Sequence, residues 1–188
     1  MDAVTIIIII IAVIVVPLLW FIGTYNGLVR LRNHCKESWA DIDTELKRRH
    51  DLIPNLVQTV KGYAAHERQL LESVVSLRAR AEAEHNRVRD ICADENQLVR
   101  GVVQVLALAE NYPDLKADAH FLELQRELVN TEDRIQAARR FYNGNVRDLN
   151  NRVEMFPSSL VAGMFKVQRE DFFEVESLTV RETPTVSV

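Results

Sequence analysis

A run of twenty almost entirely apolar residues near the N-terminus, Ala3 to Ile22, limits what this chain can fold into. Thr5 is its only polar member. As a helix the run is about 30 Å long at roughly 1.5 Å per residue, which matches the hydrocarbon core of a bilayer. Pro17 is tolerated in a membrane-spanning helix. The run therefore predicts a transmembrane helix over residues 3–22 that contacts membrane lipid.

A cleaved signal peptide is the alternative interpretation of this run. Such a peptide has a basic N-terminal region, a shorter apolar stretch and small residues at the cleavage site. Here Asp2 is the only charged side chain before the run, and Trp20 and Phe21 are bulky where cleavage would fall. We therefore expect an uncleaved, single-pass anchor.

The residues that flank the run predict its orientation. Arg30, Arg32 and Lys36 follow it, and basic residues stay on the cytoplasmic side of a membrane. The N-terminus is therefore expected outside and the main domain in the cytoplasm. A reducing compartment also suits Cys35 and Cys92, because two cysteines cannot build a disulfide framework.

The charge and turn content of the chain exclude several classes of protein. The net charge of −4 argues against nucleic-acid binding, which needs a basic face. Six glycines and five prolines are too few for a disordered chain or a turn-rich all-β fold.

From Trp39 to Ala81 the apolar residues recur every three or four positions, as in a coiled-coil seam. Pro54 does not change the phase of this seam, which predicts a kink and not an end. A break is expected near residues 62–66. Further along, Asp94 with Gln97, and then Asp118, are typical helix caps. These signals predict four helices, at roughly 26–63, 66–91, 94–111 and 118–153.

The predicted fold is all-α: a single transmembrane helix followed by an antiparallel, up-and-down bundle of about four helices, because short connections make neighbouring helices antiparallel. The alternative is one unbroken first helix that reaches Ile91. Ser158 is expected to cap a final short helix through Met164. We divide the chain into the anchor 3–22, the bundle 26–165 and a polar tail 174–188, which is either disordered or a lone strand pairing with a neighbour.

No catalytic, cofactor or metal site is predicted. His66-Glu67 begins like a zinc-binding helix motif, but Leu70 stands where the second histidine is needed. His34 and His50, like His50 and His66, are sixteen residues apart, which does not bring them within ligand reach of each other on one helix. Surface or capping histidines are the simpler interpretation.

Two charged residues occupy positions of the apolar seam, which leads to a hypothesis about buried ion pairs. Arg49 and Glu67 should be paired, because an unpaired buried charge costs several kcal/mol. Glu132 and Arg139 are the candidate partners, and such pairs would fix the bundle register or a contact between subunits. A solvated face with local ion pairs is the alternative. The remaining interaction candidates, from the charged cluster, the seam and the last long helix, are Asp51, Pro54, Tyr142 and Asn143.

Several motifs together closely resemble the LemA family of bacterial membrane proteins, over nearly the whole chain. They are YNGLVRLRN at 25–33, SWADID at 38–43, LKRRHDLIPNLV at 46–57, VKGYA at 60–64, YPDLK at 112–116, RRFYN at 139–143, FPS at 156–158 and FF at 172–173. The resemblance implies one N-terminal span, a bundle of long antiparallel helices and no established enzymatic activity. It also implies a place in the bacterial cytoplasmic (inner) membrane.

The same resemblance implies functional associations. LemA-like proteins are often encoded beside the HtpX membrane metalloprotease, and a relative, MamQ, takes part in forming magnetosome membranes. We expect a non-enzymatic scaffold in envelope quality control that forms homo-oligomers and binds partners. The alternatives are a membrane-shaping assembly module and an adaptor of an HtpX-type metalloprotease.

Overall fold

The computed structural model describes residues 2–178, apart from the side chain of Ile8, and this part of the chain contains helices and no strand. The predicted all-α class is confirmed. The helices are α1 Ala3–Tyr63, α2 Arg68–Ala81, α3 Val88–Leu108, the 3-10 turn Ala109–Asn111, α4 Pro113–Lys116, α5 Ala119–Glu154 and α6 Ser158–Met164.

The described residues group into two compact units. Unit 1 comprises residues 2–38 and 142–170, and unit 2 comprises residues 39–141 and 171–178. Helices α1 and α5 contribute residues to both units. The division at 3–22, 26–165 and 174–188 stays a prediction, and residues 179–188 lie outside the described part of the chain.

The apolar run forms the first part of α1. Its most apolar 18-residue window has a mean hydropathy of 3.2, and none of that window is buried inside the protein. By length and composition this helix can cross a membrane, so it is compatible with a membrane anchor.

The first long helix ends at Tyr63, so the alternative of an unbroken helix to Ile91 is wrong. Glycine at position 62 weakens the last turn by about 1 kcal/mol relative to alanine. The buried Ala64 then lies in the connection, and α2 begins at Arg68. Helix α1 continues through Pro54 without interruption.

The predicted boundaries of the second and third helices are wrong. Helix α2 ends at Ala81 and α3 begins at Val88, so Asp94 lies inside α3 and does not cap it. The Asp94 carboxylate instead accepts hydrogen bonds from Arg80 and His85. These contacts between segments outcompete local capping, which a short sequence window cannot reveal.

The cap predicted at Asp118 is confirmed. Its Oδ1 accepts a hydrogen bond of 2.9 Å from the backbone N–H of Phe121, and this bond holds the pKa of the Asp118 carboxyl below its usual value. The cap predicted at Ser158 is wrong, although α6 does end at Met164. Ser158 is the first helical residue, and its hydroxyl donates to the Met155 carbonyl.

Unit 2 contains the predicted up-and-down bundle. Near the start of the part of α1 that belongs to unit 2, Glu45 contacts Arg134 of α5. At the end of α1, the Tyr63 hydroxyl donates a hydrogen bond to the carboxylate of Asp118, which directly precedes α5. Residue numbers thus rise along α1 as they fall along α5, so the two helices are antiparallel. Helices α2 and α3 are also antiparallel neighbours and make extensive contact.

Unit 1 is built from α1, the end of α5, and α6. The side chains of Leu28, Val146, Leu149 and Val161 form its buried apolar centre. Asn150 Nδ2 donates a hydrogen bond to the Glu170 carbonyl, and Asn150 Oδ1 accepts one from the Glu170 N–H, at 3.0 Å each. These two bonds hold the segment that follows α6 against α5.

The close approach of α2 and α3 depends on the missing side chain of Gly101, which a substitution can test. A Cβ atom there would lie 3.1 Å from a Val74 methyl and 3.2 Å from a Leu77 methyl. We expect Gly101→Leu to lower the free energy of unfolding by about 1–3 kcal/mol, because overpacking forces side chains and backbone apart.

The matched control is Gly144→Leu within α5, where the added Cβ would have no atom within 4 Å apart from the neighbouring backbone of its own helix. Chemical denaturation of the full chain in detergent, followed by circular dichroism, measures both variants. Equal stability of the two would contradict the packing role assigned to Gly101.

Candidate functional site

Four polar side chains that are normally found at protein surfaces lie buried together in unit 2. This buried cluster consists of Arg49 and His50 from α1, Glu95 from α3 and Glu132 from α5. Arg49 and Glu95 are completely inaccessible to solvent. Three helices therefore meet at a polar centre.

The guanidinium of Arg49 joins the two carboxylates. Its Nη1 donates to Glu95 Oε2 at 3.0 Å, and its Nη2 donates to Glu132 Oε2 at 2.6 Å. The second oxygen of Glu95 lies 2.6 Å from His50 Nε2. Gln136 Nε2 donates to the second oxygen of Glu132 at 3.2 Å. Each carboxylate is therefore hydrogen-bonded through both of its oxygens.

This arrangement suits a structural role. Burying a charge is costly, so the cluster is stable only when all three helices bring their members to the same level. A shift of α3 or α5 by one turn, about 5.4 Å, would take one of the two carboxylates away from the buried Arg49 guanidinium. We therefore expect the buried cluster to specify the register of α1, α3 and α5. Among residues 2–178, no three His, Cys, Asp or Glu side chains are grouped to hold a metal ion.

Sequence reasoning found part of this cluster. It singled out Arg49 and named Glu132 as a candidate partner, but it missed Glu95 and His50. Glu95 stands three residues before the buried Leu98, so it continues the apolar face of α3. The mistaken cap at Asp94 hid this signal by placing Glu95 in the first turn of a helix. His50 is not part of the apolar series that includes Arg49, so the sequence pattern did not indicate that it is buried.

The other predicted interaction residues lie outside the buried cluster. Glu67 is half-exposed just before α2, because the helix break removes it from the seam. Asp51 and Pro54 are exposed on α1. Arg139 is half-buried and bonds a backbone carbonyl, not Arg49 or Glu67.

In unit 1, Tyr142 is buried and Asn143 is half-exposed. Both residues form interactions with their surroundings. Their predicted role in binding a partner stays a prediction.

A second feature of unit 2 is the segment 171–178, which we call the strap. It forms no helix or strand, and it is held against α3 and α5. Its side chain Phe173 is fully buried and meets the Trp39 ring edge-on, with 5.7 Å between ring centroids. Val175, two residues on, is also buried. The described part of the predicted tail is thus packed on its own chain.

Polar side chains on the two helices bind the backbone of the strap. Arg139 donates to the Val175 carbonyl at 2.7 Å. Asn96 accepts from the Glu176 N–H at 2.6 Å. These bonds satisfy backbone groups that form no strand and no helix. Side chains of α3 and α5 therefore bind the backbone of a segment that forms neither helix nor strand.

Side chains of the strap add two further contacts. The guanidinium of Arg100 makes two hydrogen bonds to the Glu176 carboxylate, of 2.8 and 3.1 Å. Gln136, which already binds Glu132, also donates to the Ser177 hydroxyl at 2.6 Å. One amide group thus connects the strap to the buried cluster.

Beyond the strap, a groove of about 620 Å³ lies between α3 and α5. Leu178 lines it together with apolar side chains of both helices and with Glu110 and Asp133. The surface that holds the strap therefore continues past its last described residue.

Comparison with known proteins identifies the family. The LemA family model matches residues 38–188. The chain belongs to the LemA family. A relative from Metamycoplasma hominis, Protein LemA, is 25% identical over 175 residues, which cover 89% of this chain and 74% of that protein. The membership predicted from the sequence motifs is confirmed, and the matched range includes all of unit 2.

Removing Arg49 from this LemA family protein tests the register role. We expect Arg49→Met to lower the free energy of unfolding by about 3–5 kcal/mol, because it leaves Glu95 and Glu132 buried without their cation. Lys47→Met is the matched control two residues away, where the ion pair with Asp43 is exposed and contributes no more than about 0.5 kcal/mol.

Denaturation of both full-length variants in detergent measures the difference. An Arg49→Met protein as stable as the Lys47→Met protein, with unchanged helix content, would refute the structural role of the buried cluster.

The two cysteines of this LemA family protein should be unreactive. Burial raises the pKa of the Cys35 thiol to about 11, and it also raises the pKa of Cys92. Because the thiolate is the reactive form, and roughly one Cys35 thiol in a thousand is ionised at pH 8, the reaction is slow. We expect iodoacetamide to label neither residue at pH 8 until denaturant is added, as read by mass spectrometry. Fast labelling of the native protein would contradict this expectation.

Proposed function

We propose that this chain is a membrane-anchored scaffold that acts by self-association, through docking of the strap of one copy on unit 2 of another. The observation that carries the proposal is the binding of the strap by α3 and α5. The ring contact of Phe173 and the hydrogen bonds of Val175 and Glu176 all join the strap to residues of unit 2. A strap from a second copy can therefore make the same contacts.

The anchor supports self-association in a second way. The apolar part of α1 has the length and composition of a membrane span. Copies confined to one membrane plane have a raised effective concentration, so a weak contact between them is sufficient. Exchange of a short segment between identical chains is a low-cost route to dimers.

The flanking charges support a location for this scaffold. Arg30, Arg32 and Lys36 follow the apolar run, which favours a cytoplasmic position for the rest of the chain. We place the protein in the cytoplasmic membrane of a bacterium, with its N-terminus outside.

A scaffold and not an enzyme is favoured by the buried cluster. Its carboxylates are bonded to Arg49, His50 and Gln136, so they are already engaged in holding helices together. A membrane-shaping module and an adaptor of an HtpX-type metalloprotease remain the alternatives. The first requires ordered arrays of copies, and the second requires the protease as a partner.

Crosslinking between differently tagged copies tests strap exchange. In a background with both native cysteines replaced by alanine, one copy carries Glu176→Cys and the other carries Arg100→Cys. The two native side chains are salt-bridged and exposed, so a short bis-maleimide can reach both positions. After reconstitution of both copies in vesicles, we expect a crosslinked heterodimer on a denaturing gel.

The control partner carries Val75→Cys, an exposed position on α2, whereas Arg100 and Arg139, which bind the strap, lie on α3 and α5; this partner should give no heterodimer. Adding Phe173→Ala to the strap copy should abolish the product, because the apolar side chain that anchors the strap is lost. A single chain with both Arg100→Cys and Glu176→Cys shows that the reagent spans the pair. If that chain is crosslinked internally while mixed copies give no heterodimer, the proposed exchange is wrong.

A further inference from the structure

Unit 1 exposes an unusual group of large apolar side chains around α6. Met155 and Phe156 precede the helix, and Leu160 and Met164 lie one turn apart on it. All four are between 63% and 79% exposed. A cluster of this kind is unfavourable in water and marks a contact surface.

Helix α6 has a second, internal face that is already occupied. Val161 and Ala162 are almost completely buried within unit 1. The exposed face formed by Leu160 and Met164 is therefore not needed to hold α6 in place. Its apolar character requires a separate explanation.

The position of α6 along α1 supplies that explanation. Phe165, which directly follows α6, packs on Tyr25 with 4.4 Å between ring centroids and on Phe21 with 5.9 Å. Both partners stand at the end of the apolar run 3–22. Helix α6 therefore lies at the level where a spanning helix leaves the hydrocarbon core and enters the headgroup region.

The part of α1 that Phe165 contacts also exposes apolar side chains. Residues such as Leu19 and Ile22 are exposed along the last turns of the apolar run. Since Phe165 contacts this part of α1, any bilayer that surrounds the run also reaches α6. A membrane is therefore the occupant that this surface fits.

Charge agrees with this assignment. By sequence, unit 1 has seven Lys or Arg and five Asp or Glu residues, whereas unit 2 has sixteen and twenty-two. Basic residues close to a membrane surface are attracted to anionic lipid headgroups. The unit that carries the apolar run is thus also the unit with excess positive charge.

We propose that α6 and residues 155–157 form a second membrane contact, lying in the interface and inserting Phe156, Leu160 and Met164 into the same bilayer that α1 crosses. Short amphipathic elements bind membranes in this way. The inference rests on the proposed anchor and adds to it. Two contacts fix how unit 1 is oriented on the bilayer surface, which a single spanning helix does not.

Site-specific fluorescence of the full-length protein tests this contact. In the background without native cysteines, Leu160→Cys is labelled with NBD and the protein is reconstituted in phosphatidylcholine–phosphatidylglycerol vesicles. We expect blue-shifted emission that doxyl-labelled lipids quench and that iodide in the buffer does not. Met164→Cys should behave in the same way.

The control is Glu37→Cys on α1, an exposed position of unit 1 that lies fifteen residues beyond the end of the apolar run. Its label should be quenched by iodide and unaffected by the doxyl lipids. A label at position 160 that responds like the one at position 37, or that neither quencher reaches because a second copy covers it, overturns the proposal.

Flotation of the same vesicles separates this inference from the anchor. Protein that floats with the vesicles but exposes position 160 to iodide retains its anchor and lacks the α6 contact. Protein that does not float lacks the anchor, and the proposed function then fails together with this inference.

Discussion

The pairing of the buried Arg49 guanidinium with two carboxylates is the constraint on which unit 2 depends. A fully buried cation is tolerable only if its partners arrive together, and here they come from α3 and α5. Moving one member of a buried ion pair leaves the other charge unpaired, which costs more than the loss of an apolar contact. The Glu95 and Glu132 carboxylates make each alternative register costly, so they specify one arrangement among many apolar ones.

The strap depends on the same cluster. The Gln136 amide bonds both Glu132 and Ser177, so the strap surface is formed only when α5 is in its native register. The backbone contacts from Asn96 and Arg139 have the same requirement, because these residues lie on different helices. Segment binding is therefore a consequence of correct bundle assembly and not a separate property of the tail.

Signals between residues close in sequence correctly predicted those features of the fold that depend only on such neighbours. The apolar spacing from Trp39 and the cap at Asp118 depend on neighbouring residues, and the structure contains both the helix and the cap. Asp94 shows the opposite case, because Arg80 and His85 use its carboxylate from outside α3. The strap had no periodic pattern to find. Its binding groups, such as Asn96 and Arg139, are between about 35 and 80 positions away in the chain.

The uneven distribution of charge between the units has a consequence for any contact between copies of this chain. Unit 2 holds an excess of acidic residues, so copies brought side by side repel one another. Dissolved cations screen this repulsion over about 10 Å at 0.1 M ionic strength. The ionic strength of the surrounding solution therefore changes the electrostatic repulsion between copies of unit 2, and it does so without any ligand.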